Sequence, residues 1–167
     1  PLVAGAEALA ALQPLVVNRR RVFLSGLPAE FDGLRIAHLS DFHHGPHVLR
    51  ARIRGAVRLA NSLEPDLIAL TGDFIHRGKD WIEGCFRELA QLEAPLGVFA
   101  VLGNHDHYAK SADHVRSAMR RSGIHELTNC GVNLRRRGGE LRLGGVGDLW
   151  MDKQDLRAAL GRSGRAD

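Results

Sequence analysis

Three stretches of the chain share one design, in which an apolar run stops and hands over to groups able to bind a cation or move a proton. The first, Leu34-Arg35-Ile36-Ala37-His38-Leu39-Ser40, leads into Asp41-Phe42-His43. The second, Asp66-Leu67-Ile68-Ala69-Leu70-Thr71, leads into Gly72-Asp73, and the third, Gly97-Val98-Phe99-Ala100-Val101-Leu102, leads into Gly103-Asn104-His105-Asp106. Short β-rich apolar runs predict strands, and the second, apolar on both faces, is the pattern expected of a central parallel strand. Between them the period changes. Over residues 49–63, Ile53, Val57 and Ala60 recur at helical spacing among Arg50, Arg54 and Arg58, and Pro65 ends the segment. Over residues 80–92, Trp81, Cys85, Phe86 and Leu89 share one helical face, and Pro95 ends that segment. The polar ends recur every thirty residues or so, about one strand-helix-strand unit. Three parallel strands would therefore bring Asp41, His43, Asp73, Asn104 and His105 to one end of a sheet, where open α/β folds place their sites.

The flanks read less sharply. Residues 15–24 form an extended segment that reads as an edge strand blunted by Arg19, Arg20 and Arg21. Leu27-Pro28 and Asp32-Gly33 mark a loop and a turn. A third helix starts at Ser111 as its cap, with Asp113 in its first turn, and stops at Gly123. Two β-like runs, residues 131–136 and 140–146, flank a Gly138-Gly139 turn. Asp152 then caps a last helix through Leu160, and residues 161–167 read as a frayed tail. His38 is expected inside the strand core, while His114 and His125 read as structural or surface residues.

Composition bounds the class. The chain has 167 residues, 44% hydrophobic and 25% charged, the make-up of one globular domain able to bury about 70% of its unfolded surface. A net charge of +4 and a pI of about 9.7 come mostly from arginine. The arginines are scattered, so they read as a solvated surface ahead of a patch for phosphate or anionic lipid. Cys85 and Cys130 form neither a metal-type pair nor a disulfide framework, and Cys85, among Trp81, Ile82, Phe86 and Leu89, reads as a core thiol. No stretch is long and apolar enough to span a bilayer. No Gly-x-Gly-x-x-Gly follows a strand, which disfavours a dinucleotide-binding domain. The basic residues also lack the aromatic interleaving used to bind single-stranded nucleic acid.

Carboxylate and imidazole ligands suit hard or borderline divalent cations, and an Asn carbonyl adds a neutral oxygen. Taken singly, Asp41, Asp73 and Asn104 are ordinary turn residues after strands. Taken together on matched strand ends, with His43, they read as a metal site.

The ordered triplet Asp41-x-His43, Gly72-Asp73 and Gly103-Asn104-His105-Asp106 resembles the calcineurin-like metallophosphoesterases. The nearer likeness is to a bacterial, often membrane-associated branch, carried here by residues 31–41, 65–73 and 94–106, and it spans roughly Leu27 to Trp150. The resemblance implies an α/β layered sheet with flanking helices and a partial β-sandwich core, its site at the C-terminal ends of the strands. It implies a metal-dependent phosphoesterase acting on phosphomonoesters or phosphodiesters through a hydroxide activated by two divalent ions, whether Mn, Fe or Zn. Asp41, His43 and Asp73 would hold the first ion, and Asp73 and Asn104 would help hold the second. His105 would lie outside the ligand set and donate a proton to the leaving oxygen or steady the phosphoryl charge.

The branch points to lipid-linked or nucleotide-sugar phosphates, and related enzymes with these motifs also cut nucleic acid. Asp106 would orient His105 or cap the next segment of chain. His44, His47 and His107 read either as lining the substrate entrance or as loop residues, and Asp148 as a distant substrate neighbour. His76 stands where many members carry a second Asp.

Members of the family supply further ligands later, a His after another strand and then Gly-His-x-His, whereas no histidine follows Trp150 here. The expected organisation is thus an N-terminal extension over 1–24 and a partial metallophosphoesterase domain over 25–167 lacking those motifs. The rival reading is a truncated, non-catalytic α/β fragment that binds one metal or none. The Ala-rich opening, residues 2–12, is interrupted by Glu7 and followed by Pro14, and reads as a short helix or the end of an export signal or anchor. Relatives in the branch often carry such a segment, so a cytoplasmic and a membrane-associated location both stay open.

Overall fold

Apolar runs and helical stripes alternate along the chain, and the computed structural model, which describes residues 14–161, shows what they build. In order, the elements are β1 (Ile36–Leu39), α1 (Arg50–Ser62), β2 (Leu67–Leu70), α2 (Ile82–Leu89), β3 (Val98–Ala100), α3 (Asn104–His107), α4 (Ala112–Arg121), β4 (His125–Glu126), β5 (Cys130–Arg136), β6 (Gly139–Gly145) and α5 (Leu156–Leu160). Single 3₁₀ turns lie at Ala29–Phe31, Lys79–Trp81 and Tyr108–Lys110. Strands β1 to β4 form one parallel sheet in sequence order, paired Ile36 to Leu67, Ile68 to Val98 and Phe99 to His125. The opening segment, residues 2–12, and the tail beyond Gly161 lie outside the described residues.

Because side chains alternate along a strand, each strand serves two layers. Ile68 and Leu70 of β2 and Val98 and Ala100 of β3 pack with Ile53, Val57 and Ala60 of α1, Cys85, Phe86 and Leu89 of α2, and Val115, Ala118 and Met119 of α4. The helices therefore share one face of the sheet. The intervening residues Leu67 and Phe99 meet Phe31, Leu127 and Leu134 in a second cluster that includes Val132, Leu141 and Leu143 of the β5–β6 hairpin. Helices, parallel sheet and antiparallel hairpin thus form three layers. Cys85 is fully buried, in keeping with its apolar neighbours, and its Sγ donates to the Phe74 carbonyl at 3.4 Å. Burial pushes this thiol well above the usual cysteine range.

Several expectations need correcting. Residues 15–24 pair with no strand, and Val16, Val22 and Phe23 stand exposed. His38 is exposed, with Nε2 at 2.7 Å from Thr71 Oγ1. The reason is register: Ala37 and Leu39 turn toward the helices, which leaves Ile36 and His38 on the face where the hairpin cluster draws on β2 and β3. The hairpin turn is Arg137-Gly138, both at positive φ (51° and 89°), and Gly139 already pairs with Arg136. Two central residues at positive φ suit a tight two-residue connection. The last helix is capped by Asp155, whose Oδ1 accepts from Ala158 N–H at 2.9 Å, in place of Asp152. Ser111 does precede α4, but its buried hydroxyl donates backward to the carbonyls of Asp106 and Tyr108.

Candidate metal centre

The C-terminal ends of β1, β2 and β3 lie side by side, and the pairing of the first two continues past the strands. The N–H of Asp41 donates to Gly72 O, that of His43 to Asp73 O at 2.8 Å, and that of His44 to Phe74 O at 3.0 Å. The N–H of His76 then donates back to His44 O at 3.0 Å. This extended ladder sets Asp41 and His43 beside Asp73. Asp41, His43 and Asp73 all take positive φ (57°, 43° and 53°), a region that residues with a Cβ enter at a cost of about 1–3 kcal/mol each. Strain of that kind concentrates where side chains must be aimed.

The aim is convergent. His43 Nε2 lies 3.4 Å from Asp41 Oδ1 and 3.5 Å from Asp73 Oδ2. One ligand atom from each of Asp41, His43 and Asp73 falls within 4.8 Å of the others. Asp73 is also held from the third strand end, since its Oδ1 accepts the His105 N–H at 2.9 Å. Glycines permit this approach: a Cβ on Gly72, itself at φ +91°, would sit 2.1 Å from Gly103 N, and one on Gly103 would sit 2.2 Å from Asp73 Oδ1.

Asp106 ties the loops together. Its fully buried carboxylate accepts the N–H groups of Gly103, Asp73 and Phe74, each at 2.9 Å. Burial pushes this carboxyl up to about 7, against the downward pull of the Gly103, Ile75 and Phe74 N–H groups. Asp106 thus caps α3 and holds the Asp73 backbone, its oxygens taken up by backbone N–H groups.

His105 Nδ1 lies 2.7 Å from the His76 carbonyl oxygen, and its ring stands edge-on to His43 with centroids 4.5 Å apart. The His76 ring is 5.4 Å from that of His105. Desolvation first, then repulsion from His105, His43, Arg77 and His47, holds the His76 imidazole below the ordinary histidine value. Asn104 is on the same rim, in α3, and its Nδ2 donates to Tyr108 Oη at 2.9 Å. Arg77 lies over the Tyr108 ring, 5.6 Å from its centroid.

Of the residues singled out in the sequence, Asp41, His43, Asp73 and His105 are brought together, and Asn104 stands next to them in the chain with its amide turned to Tyr108. His44 does not line an entrance: it is buried, with Nδ1 2.7 Å from Val48 O and its ring against Trp81. Asp148 is spent on a local turn, accepting the N–H groups of Trp150 and Met151. His76, read in the sequence only as standing where many family members carry a second Asp, is a ring neighbour of His105 and His43, and Tyr108 is the neighbour that sequence reasoning missed. A concavity of about 660 Å³ lies at the opposite end of the sheet, lined by residues including Arg35, Asn61, Asp66 and Glu93.

A family model described as calcineurin-like phosphoesterase matches residues 34–155. A transmembrane protein with metallophosphoesterase domain from Bos taurus is 32% identical over 126 residues, covering 75% of this chain and 28% of that protein. A UDP-2,3-diacylglucosamine pyrophosphatase from Chlamydia trachomatis is 42% identical over 80 residues, 47% of this chain and 24% of that protein. An uncharacterized metallophosphoesterase of Bacillus subtilis is 27% identical over 139 residues, 81% of this chain and 49% of that protein. The chain therefore spans half or less of the length of these relatives.

Proposed function

The chain belongs to the calcineurin-like phosphoesterase family, and on that premise we propose that it serves a metal-dependent hydrolysis of phosphate esters at the rim formed by β1, β2 and β3. The observation that carries this reading is the convergence of Asp41, His43 and Asp73, whose ligand atoms lie within 4.8 Å of one another. The gaps of 3.4 Å and 3.5 Å from His43 Nε2 to the two carboxylates are long for hydrogen bonds. They match the roughly 3–3.5 Å edges between ligands that each stand about 2.0–2.2 Å from a common cation. Two carboxylates and an imidazole form a donor set fit for Mn, Fe or Zn.

In this reading Asp41, His43 and Asp73 hold one divalent cation, and Asp73 with the Asn104 side-chain carbonyl helps hold a second. When bound, such a pair acidifies water and neutralises phosphate charge. The chain's own groups do the rest. Asp73, braced by the His105 N–H and by the Asp106 tie, keeps its free oxygen facing His43. His105 donates from Nδ1 to the His76 carbonyl, so Nε2 is the nitrogen that, in the doubly protonated ring, would give its proton to the leaving oxygen.

Phosphomonoesters and phosphodiesters are the substrate class, and lipid-linked or nucleotide-sugar phosphates the preferred members. Support for the latter comes from the chlamydial pyrophosphatase named for a diacylglucosamine nucleotide. The test is hydrolysis of an aryl phosphate and a bis-aryl phosphate with Mn²⁺ added. Asp73→Asn should lower the rate by more than about 100-fold, since a lost ligand costs at least what a lost supporting group does. An unchanged rate would overturn the reading.

A further inference from the structure

We propose that His43, His76 and His105 form a second cation site, one that takes a zinc-class transition ion and competes with the Asp41–His43–Asp73 group for His43. This rests on the functional reading above but concerns a different set of ligands. One ring nitrogen from each of the three histidines lies within 4.8 Å of the others. The rings are not loosely gathered. His43 and His105 meet at 82° with centroids 4.5 Å apart, and His76 stands 5.4 Å and 6.2 Å from His105 and His43. The backbone of His76 is pinned by its N–H to His44 O, while its side chain is exposed, with its ring beside those of His43 and His105.

The tautomer of His105 supports the assignment. A ring nitrogen 2.7 Å from a carbonyl oxygen must carry the hydrogen, so Nδ1 is the donor to His76 O. The neutral ring then bears its lone pair on Nε2. Metal-binding histidines are typically oriented this way, one nitrogen donating to a backbone carbonyl and the other ligating.

Ligand type decides which ion enters. Three imidazoles without a carboxylate favour zinc, copper or nickel over magnesium, calcium or manganese, whereas two carboxylates with one imidazole accept the harder ions. His43 belongs to both groups, and a neutral imidazole has one lone pair to give. An ion on the three histidines therefore withdraws a ligand from the carboxylate group and occupies the nitrogen of His105 that proton transfer needs. Manganese would support hydrolysis and excess zinc would suppress it.

Calorimetric titration of the full chain with Zn²⁺ and, separately, with Mn²⁺ tests this, alongside the visible absorption of the Co²⁺-loaded chain. His76→Asn should weaken Zn²⁺ binding by roughly tenfold or more, change the Co²⁺ spectrum and leave the Mn²⁺ isotherm in place. His76→Gln, read with a thermal melt, guards against a folding defect peculiar to one variant. Zn²⁺ isotherms and Co²⁺ spectra that are unchanged in both folded variants would overturn the proposal. Asp73→Asn separates the two readings: loss of Mn²⁺ binding with Zn²⁺ retained on the histidines supports both. Hydrolysis indifferent to Asp73→Asn would overturn the functional reading while leaving the three-histidine site standing.

Discussion

At the scale of single residues, the site depends on what is missing as much as on what is present. Gly103 has no Cβ, and that space is filled by Asp73, whose Oδ1 and backbone N stand 2.2 Å and 2.6 Å from where a Cβ would be. Gly103→Ala should destabilise the fold by about 1–3 kcal/mol, the usual penalty for overpacking, and push Asp73 off His43. Urea unfolding and Mn²⁺ calorimetry together check this. A variant of native stability and native Mn²⁺ affinity would show that the close approach is dispensable. Asp41, His43 and Asp73 are legible in the sequence because each comes after an apolar run, and their left-handed backbone is not. Nothing in residue type marks His43, with φ 43°, as strained. Tyr108 is invisible for a related reason: its contact with Asn104 arises from the short helix α3, which no apolar period announces.

At the scale of elements, the helices declare themselves by their apolar faces, and the polar seam between them does not. Glu88 of α2 is almost fully covered, yet it accepts from Arg50 Nε at 2.7 Å and from Arg54 Nε at 2.8 Å and Nη2 at 2.9 Å. By period alone those arginines are simply the solvated side of α1. Hydrogen bonding from Arg54 first, then from Arg50 and against the opposing effect of burial, holds the Glu88 carboxyl at about 2, below the glutamate value of 4.5. A depressed carboxyl stabilises the fold above its unfolded value, and the benefit is lost as pH falls through the folded one. The stability gap between the native chain and Glu88→Gln should therefore stay constant above about pH 5 and close between roughly 4.5 and 2. Urea midpoints measured across that range check it, and a gap independent of pH would refute it. Strands β1 to β3 and helix α1 are readable from period alone, because several apolar positions repeat in each. Strand β4 is only His125-Glu126, too short to show a period, and the choice of Asp155 over Asp152 as a cap depends on where the chain leaves the hairpin.

At the scale of the molecule, three layers place Asp41, His43 and Asp73, the candidate ligands, on one rim. Many arginines behind the positive charge are engaged elsewhere. Arg116 pairs with Glu126 at 2.9 Å, Arg136 lies 3.7 Å from Asp66, and Arg121 pairs with Glu83. Among the described residues no helix is long and apolar enough to cross a membrane. One consequence of the layout concerns motion. The loops after β1 and β2 do not end their pairing where the strands stop, so their tips behave as a continuation of the sheet. In deuterated buffer the amides of His43, His44 and His76 should keep their protons nearly as long as those of β1 and β2, despite lying in loops at the rim. Exchange at the pace of the open chain would mean that the rim breathes independently. Slow exchange would mean that the candidate ligands are set in place in advance, so that any ion taken up there would require little rearrangement of the backbone.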